Sequence, residues 1–225
     1  MTMGATGQLD HISRRYDREY SYPAIERARI ETAVALIGAG RRVLDVGAFD
    51  GQISDAISKA GNTVVALDGS ASALEVAKSR GLDTVCADLS QRWPFADGSF
   101  ETVFAGEIIE HIIDGDHFLS ECHRVLCGNG TLVLTTPNLA SLGRRFLLLF
   151  GKNPYVDTAL RPDQAGHIRY FVEPSLRRLL AENAFRADVV VGEAVAFNAK
   201  GAHSRFLARL FPGLAKSLIV RATRV

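Results

Sequence analysis

Glu107, Glu110 and His111, in the stretch "GEIIEHIID", stand at spacings i, i+3 and i+4. If a helical turn starts at Glu107, the three side chains share one face. Far along the chain, "AGHIRYF" places His167 in a segment that must fold back over the same edge to meet them. Two carboxylates and two imidazoles could ligate a divalent cation. Such a mixed N/O set suits Mn²⁺, Fe²⁺, Co²⁺ or Zn²⁺ better than Mg²⁺, which prefers oxygen. Without a metal, His111 is the general-base candidate, because an imidazole of ordinary pKa, about 6.5, can take the proton of a reacting hydroxyl. The plainer reading of His111 is a hydrogen-bonded wall residue. His11, His117, His123 and His203 have no comparable neighbours and read as structural or surface residues.

A second set of acids sits at the ends of apolar runs. "VLDVGAFDG" carries Asp45 inside a strand-like run and then turns through Gly47 and Gly51. Two glycines spaced G-x-x-x-G, with Phe49 between them, do not make the G-x-G-x-x-G cradle of a dinucleotide site. A carboxylate at the turn would repel phosphate and attract an ammonium group. The next run ends in Asp68, about 20 residues on, where a carboxylate accepts ribose hydroxyls. The third run ends in Asp88, placed to meet an adenine amino group. These three acids suit a ligand with ribose, adenine and an amino-acid head, without phosphates.

The elements that must position these groups follow from the hydrophobic pattern. Residues 42–47, 63–68, 83–88, 101–106 and 130–137 read as strands, each short, rich in Val and Leu, and ending in Gly, Asp or Pro. They are continuous apolar runs, so both faces should be buried, as in a parallel sheet. Helices are expected over 51–60, 70–79 and 114–126, the last opening at Asp114 and stopping before "CGNG". Residues 11–38 read as one or two helices broken at Pro23, and 139–172 as a long insertion. A helix (173–183), a strand (187–194), a weak helix (202–210) and a last strand (217–224) close the pattern. The expected fold is α/β: a Rossmann-like, doubly wound, seven-stranded, mostly parallel sheet with helices on both faces and an antiparallel closing strand. One domain over residues 1–225 is expected, with an N-terminal helical lid at about 8–38 and a second lid at about 139–172.

With those residues in place, the chain resembles the class I S-adenosylmethionine-dependent methyltransferases, in the ubiquinone-type O-methyltransferase-like subgroup. "VLDVGAFDG" resembles the family's first motif and "ALDGS" its ribose-binding acid. "CADLSQRWPFADGSFETVFAGEIIEH" resembles the adenine segment and fourth strand, and "HRVLCGNGTLVLTTPN" the fifth. The match covers roughly residues 30–195 in consistent order. It implies S-adenosyl-L-methionine as cofactor, held by Asp45, Gly47, Phe49, Gly51, Asp68, Gly69, Ser70, Asp88, Leu89, Gly106 and Glu107. It departs at "GAF", where the family usually has a small residue or glycine, and Phe49 could line the methionine end. E-x-x-E-H with a distant His resembles the metal sites of small-RNA 2′-O-methyltransferases and of ubiquinone-type O-methyltransferases. By that resemblance Glu107, Glu110, His111 and His167 are metal ligands for an ion such as Mn²⁺ or Mg²⁺. Many metal-free members also carry "EH" here, with Glu lining the cofactor pocket and His shaping the substrate site, and both readings stay open.

The leading function is methyl transfer to a hydroxyl of a small molecule such as a sugar or secondary metabolite. The alternatives are an RNA 2′-O-methyltransferase and a non-catalytic cofactor-binding subunit. Against RNA, no appended binding module is visible and aromatic residues do not cluster with basic ones. Net charge is +1, but residues 1–138 carry 12 Lys and Arg against 19 Asp and Glu, a net of −7, and 139–225 carry 14 against 6, a net of +8. A solvated arginine-rich surface is the simplest reading of the basic part. "FLLLF" beside Arg144 and Arg145 could meet an apolar acceptor, a partner subunit or a membrane face, with core packing of the insertion the simplest case. Tyr16, Tyr20 and Tyr22 would line the N-terminal lid. No apolar run reaches the ~18 residues of a transmembrane helix, no secretory pattern opens the chain, and its three cysteines form no metal pattern. A reduced, cytoplasmic protein is the expectation.

Overall fold

The computed structural model describes residues 24–154, 166–197 and 202–225. Helix α1 (Ala24–Ile37) leads into β1 (Arg42–Val46), α2 (Gln52–Lys59), β2 (Thr63–Asp68), α3 (Ala71–Ser79) and β3 (Asp83–Cys86). Then come β4 (Phe100–Gly106), a 3₁₀ turn (Ile109–His111), α4 (Gly115–Val125) and β5 (Leu126–Pro137). Helix α5 (Leu142–Leu149), α6 (Glu173–Glu182), β6 (Phe185–Gly192), a ribbon of β7 (Val195–Ala196) and β8 (His203–Ser204), α7 (Arg205–Leu210) and β9 (Ser217–Arg224) complete the described chain. Tyr16, Tyr20, Tyr22 and His11 lie outside the described residues.

Seven strands form one sheet in the order β3-β2-β1-β4-β5-β9-β6. β1 pairs in parallel with β2 and β4, and β4 with β5. β9 runs antiparallel to both β5 and β6, so it is the antiparallel closing strand. The strand order reverses between β1 and β4, and the carboxyl ends there open the crevice in which such sheets hold ligands.

The continuous apolar runs are explained by burial on both faces. Leu44 and Val46 of β1 point into a cluster with Phe118 and Leu119 of α4 and Leu176 and Leu180 of α6. Val43 points the other way, toward Ala33 and Ile37 of α1 and Ile57 of α2. A strand's period of two puts Asp45 on the Val43 face. Ser54, one turn before Ile57 on α2, is thereby placed to meet it.

The N-cap expected at Asp114 is present, and Ser70, read as the first residue of a helix, caps α3 instead. Asp114 accepts the His117 N–H at 2.9 Å and Ser70 accepts that of Ala73 at 3.3 Å. Arg124 fixes the long β3–β4 loop, donating to the Trp93 and Phe95 carbonyls and to the carboxylates of Asp97 and Glu121. The 139–172 insertion is partly helical, and its apolar run does not pack into the core. Phe146, Leu148, Leu149 and Phe150 of α5 and its C-terminal end are exposed, because only Leu142 at the start of the helix reaches a small cluster of Val195, Ala208 and Ala215.

Gly51 makes the turn between β1 and α2 possible. Its φ is +74°, and a Cβ there would stand 2.6 Å from Leu82 Cδ1 and 2.7 Å from Ala77 Cβ. Gly81 also has a positive φ, +84°, but its Cβ would meet nothing within 4 Å. Gly81→Ala should therefore cost only the backbone penalty, about 1–2 kcal/mol. Gly51→Ala adds overpacking and should cost about 3 kcal/mol or more. Urea unfolding of the two variants checks the difference, and equal costs would contradict the packing argument.

Candidate functional site

The crevice is bounded by the turns that follow β1, β2 and β4. Gly47, with φ +77°, donates its N–H to the Leu67 carbonyl at 2.8 Å, tying the first turn to β2. A Cβ on Gly47 would stand 2.9 Å from Ile108 Cγ1, so the first turn also touches the turn after β4. Phe49 itself has a left-handed backbone, φ 52°, a conformation that glycine takes without strain and a bulky residue rarely adopts. Its N–H donates to Asp68 Oδ2 at 2.9 Å, which holds it there. The departure at "GAF" is thus a side chain set on a backbone built for glycine.

Asp68 also accepts the Ser70 N–H at 2.7 Å, beside Gly69. Burial raises its pKa, opposed by the N–H groups of Ser70, Phe49 and Gly69. A carboxylate has about four lone-pair positions, so capacity remains for ligand hydroxyls. Asp45 is turned inward, 2 % exposed, and accepts Ser54 Oγ at 2.6 Å. Desolvation pushes its pKa up to about 7, with the charge of Asp68 adding to the rise. Asp88 lies just beyond β3 on the surface and is held by the N–H and Oγ of Ser90, which lower its pKa. Leu89 packs against the main core cluster, and Gly106 ends β4.

The E-x-x-E-H cluster divides in two. Ile109–His111 is a 3₁₀ turn, but Glu107 precedes it with φ 52°. Its N–H donates to the Thr135 carbonyl at 2.9 Å, and its carboxylate swings to Arg29 of α1, 3.1 Å away. The expectation that a helical turn starting at Glu107 puts all three side chains on one face does not hold, because the left-handed residue breaks the turn.

Glu110, His111 and His167 do converge. One ligand atom from each lies within 4.8 Å of the others. Glu110 is 1 % exposed and accepts Thr136 Oγ1 at 3.0 Å through Oε2, while Oε1 is buried with no hydrogen-bond partner. Burial, then the charge of Glu107, raises its pKa to about 8. The Glu110 carbonyl accepts the N–H groups of Ile168 and Arg169, at 3.0 and 3.1 Å, and this brings His167 back over the edge. His111 Nδ1 lies 3.3 Å from the Gly166 carbonyl. A carbonyl only accepts, so that bond sets Nδ1 as the protonated nitrogen and leaves the lone pair on Nε2.

Sequence reasoning missed three groups here. Arg29 and Thr136 carry no local motif. Glu193 does carry a signal, since it follows β6 at the same edge, as Asp68 ends β2. It is 2 % exposed, and burial raises its pKa to about 7 against the opposing charges of Arg29 and Lys216.

A family model described as a methyltransferase domain matches residues 44–134. A demethylmenaquinone methyltransferase of Mycobacterium sp. (strain KMS) is 32 % identical over 185 residues, covering 72 % of this chain and 80 % of its own.

The chain belongs to the S-adenosylmethionine-dependent methyltransferases.

Within that family, a ubiquinone biosynthesis O-methyltransferase of Paracidovorax citrulli is 28 % identical over 71 % of this chain and 68 % of its own. A "Probable S-adenosylmethionine-dependent methyltransferase" of Mycolicibacterium smegmatis is 30 % identical over 68 % of this chain, and the match spans only 55 % of the relative's length. Among solved structures, an SAM-dependent methyltransferase of Thermotoga maritima superimposes with a TM-score of 0.66 at 17 % identity, covering 89 % of this chain and 91 % of its own. That likeness bears on the fold, and it agrees with the seven-stranded mixed sheet. Among the described residues, no helix is long and apolar enough to cross a membrane.

Asp45, Glu110 and Glu193 share a consequence for this methyltransferase. Each has a folded-state pKa above that of an unfolded carboxyl. A raised carboxyl pKa stabilises the fold at low pH, and that contribution is lost as pH rises through the folded value. The metal-free, cofactor-free protein should therefore lose thermal stability from about pH 5, just above the range in which unfolded carboxyls ionise, to about pH 8, the highest of the three folded values, and change little beyond it. Melting temperatures measured across that window check this, and a flat or rising series would contradict it.

Proposed function

We propose that this methyltransferase transfers the methyl group of S-adenosyl-L-methionine to a hydroxyl of a small molecule, with Glu110, His111 and His167 as ligands of a divalent cation. The observation that carries the proposal is the meeting of His167 with Glu110 and His111, more than 50 residues apart in sequence, with one buried oxygen of the Glu110 carboxylate lacking a hydrogen-bond partner.

Bound S-adenosylmethionine supplies a methyl group already activated by a sulfonium charge. The residues then have to hold, orient and desolvate. Asp68 would take the ribose hydroxyls through the lone pairs that the turn leaves open. The Gly47–Gly51 turn would hold the amino-acid end, with Phe49 beside it. Asp45 sits behind that turn, where its carboxylate favours a cationic head. Asp88 and Leu89 would border the adenine. Gly106 and Glu107 close the side nearest β4, and Arg29 restrains the Glu107 carboxylate there.

The one-oxygen, two-nitrogen donor set fits Mn²⁺, Fe²⁺, Co²⁺ or Zn²⁺. A bound cation would act as template and Lewis acid, lowering the pKa of an acceptor hydroxyl. Glu110 is fixed by Thr136 and His111 by the Gly166 carbonyl, the outer partners that orient metal ligands. Without a cation the same geometry presents His111 Nε2 as the proton acceptor. Positioning of the hydroxyl in line with the methyl group supplies much of the rate in either case. The names of the quinone-modifying relatives support a small-molecule acceptor.

Calorimetry should detect S-adenosylhomocysteine binding and no NAD binding, and Asp68→Ala should weaken S-adenosylhomocysteine by about 1–3 kcal/mol. NAD binding without S-adenosylhomocysteine binding would sink the cofactor assignment. Mn²⁺ titrated into chelator-treated protein should bind, and His167→Ala should weaken it by about tenfold or more. If Mn²⁺ does not bind, or binds equally to both proteins, the metal assignment is wrong. His111→Ala should then lower turnover far more than cofactor affinity, as expected of the base.

A further inference from the structure

The C-terminal turn of α5 is apolar all the way round. Phe146 to Phe150 are five consecutive apolar residues, and at 3.6 residues per turn they encircle the helix about 1.4 times. Phe150 and Leu149 are 73 % and 74 % exposed. A second apolar outcrop lies beside it. Phe206, Leu210 and Phe211, on and just after α7, are all exposed. The two outcrops share a base: Leu142 and Leu207 pack on the same small cluster, and Arg145 donates to the Gly213 carbonyl at 3.2 Å. Exposed apolar surface of this size marks a site of contact with something else.

Charge and shape decide what that is. Residues 139–154 hold Arg144, Arg145 and Lys152 and no acid, and residues 202–225 hold five basic residues and no acid. Among the described residues, Glu31 is held by Arg205 at 3.4 Å and Glu173 by Arg177 at 3.0 Å. Arg144 and Arg145 lie one turn below the apolar tip and Lys152 two residues beyond it. That is the arrangement of an interfacial element, with an apolar tip and cations at headgroup depth. A flat protein partner would cover one side of the tip and leave the other in water. Acyl chains surround it. We infer that the α5 tip and the α7 outcrop form a docking surface for an anionic lipid bilayer. Lipid contact here needs no cofactor and is independent of the acceptor proposed above.

The full-length protein is mixed with extruded vesicles of phosphatidylcholine alone, or of phosphatidylcholine with phosphatidylglycerol, and sedimented. Binding to the phosphatidylglycerol vesicles is expected, with little to the neutral ones and a loss at high salt. The double variant Leu149→Ser/Phe150→Ser should bind about tenfold more weakly or worse. Its S-adenosylhomocysteine affinity and melting temperature should match the parent, which shows that it folds. Phe150→Trp gives a second reading. The native Trp93 is 1 % exposed, so a blue shift of emission on adding anionic vesicles reports the new side chain entering the bilayer. Absence of vesicle binding, binding untouched by the double substitution, or no emission shift in Phe150→Trp would overturn the inference. So would self-association of the parent, seen by sedimentation velocity and abolished by the same substitution, because the surface would then be a protein interface.

Discussion

The edge of the crevice to which the insertion returns hangs on Glu110. Its backbone carbonyl receives the N–H groups of Ile168 and Arg169, and its carboxylate is anchored by Thr136 at the end of β5. One residue thus joins the turn after β4, the end of β5 and the returning end of the insertion. His167 has its position because of those two backbone bonds, and His111 because the adjacent Gly166 carbonyl faces its Nδ1. A buried carboxylate is a costly choice for such a joint. An unsatisfied buried acceptor costs about 1–3 kcal/mol, more when charged. Glu110 answers part of that cost by holding its proton to higher pH. A neutral amide or an alkyl group would join the same elements more cheaply, so the carboxylate implies a use in the site.

How much of this was legible depends on where the information sits. The sheet was legible because both faces of its strands are buried, which writes each strand as an unbroken apolar run. The positions of Asp68 and Asp88 at the carboxyl edge of the sheet were legible because each stands where an apolar run stops. Glu107 was not. Its role turns on a left-handed backbone at one position, and E-x-x-E-H reads the same with or without it. Arg29 could not be found from sequence, since the ion pair joins residues 78 positions apart with no motif at either end. Glu193 was within reach of the strand-end argument already applied to Asp68. "FLLLF" was read as packing of the insertion because apolar side chains are usually buried, and that prior fails when a helix tip is apolar on every side, since no single core can cover it.

The opposite charges of the two halves of the chain acquire separate meanings in three dimensions. Along the carboxyl edge, burial makes Asp45, Asp68, Glu110 and Glu193 expensive as anions. Part of the basic surplus lies on the outer helices α5 and α7, where Arg145, Arg205 and Arg209 are exposed and their charge costs little, while Arg221 and Arg224 of β9, a strand inside the sheet, are half-buried. A single net charge of +1 conceals this division. A cationic ligand in the crevice and an anionic surface outside would each meet the charge that suits it.

Asp45 and Asp68 are the sharper case of the same physics. They close the ends of neighbouring paired strands, and their charges oppose one another, Asp68 raising the pKa of Asp45. The fold tolerates them by unequal means. Asp68 is held by backbone N–H groups, which favour its ionised form. Asp45 has one hydroxyl, Ser54, and is left able to keep its proton. Without ligand, burial disfavours the ionised form of both acids, and the charge of Asp68 adds to that cost at Asp45. A cofactor bearing a sulfonium and an ammonium changes that balance. If it binds beside them as proposed, it would favour ionisation of both acids, so that a charge costly in the free protein would become attraction to the ligand. Binding there would offset the cost that these buried acids impose on the free protein.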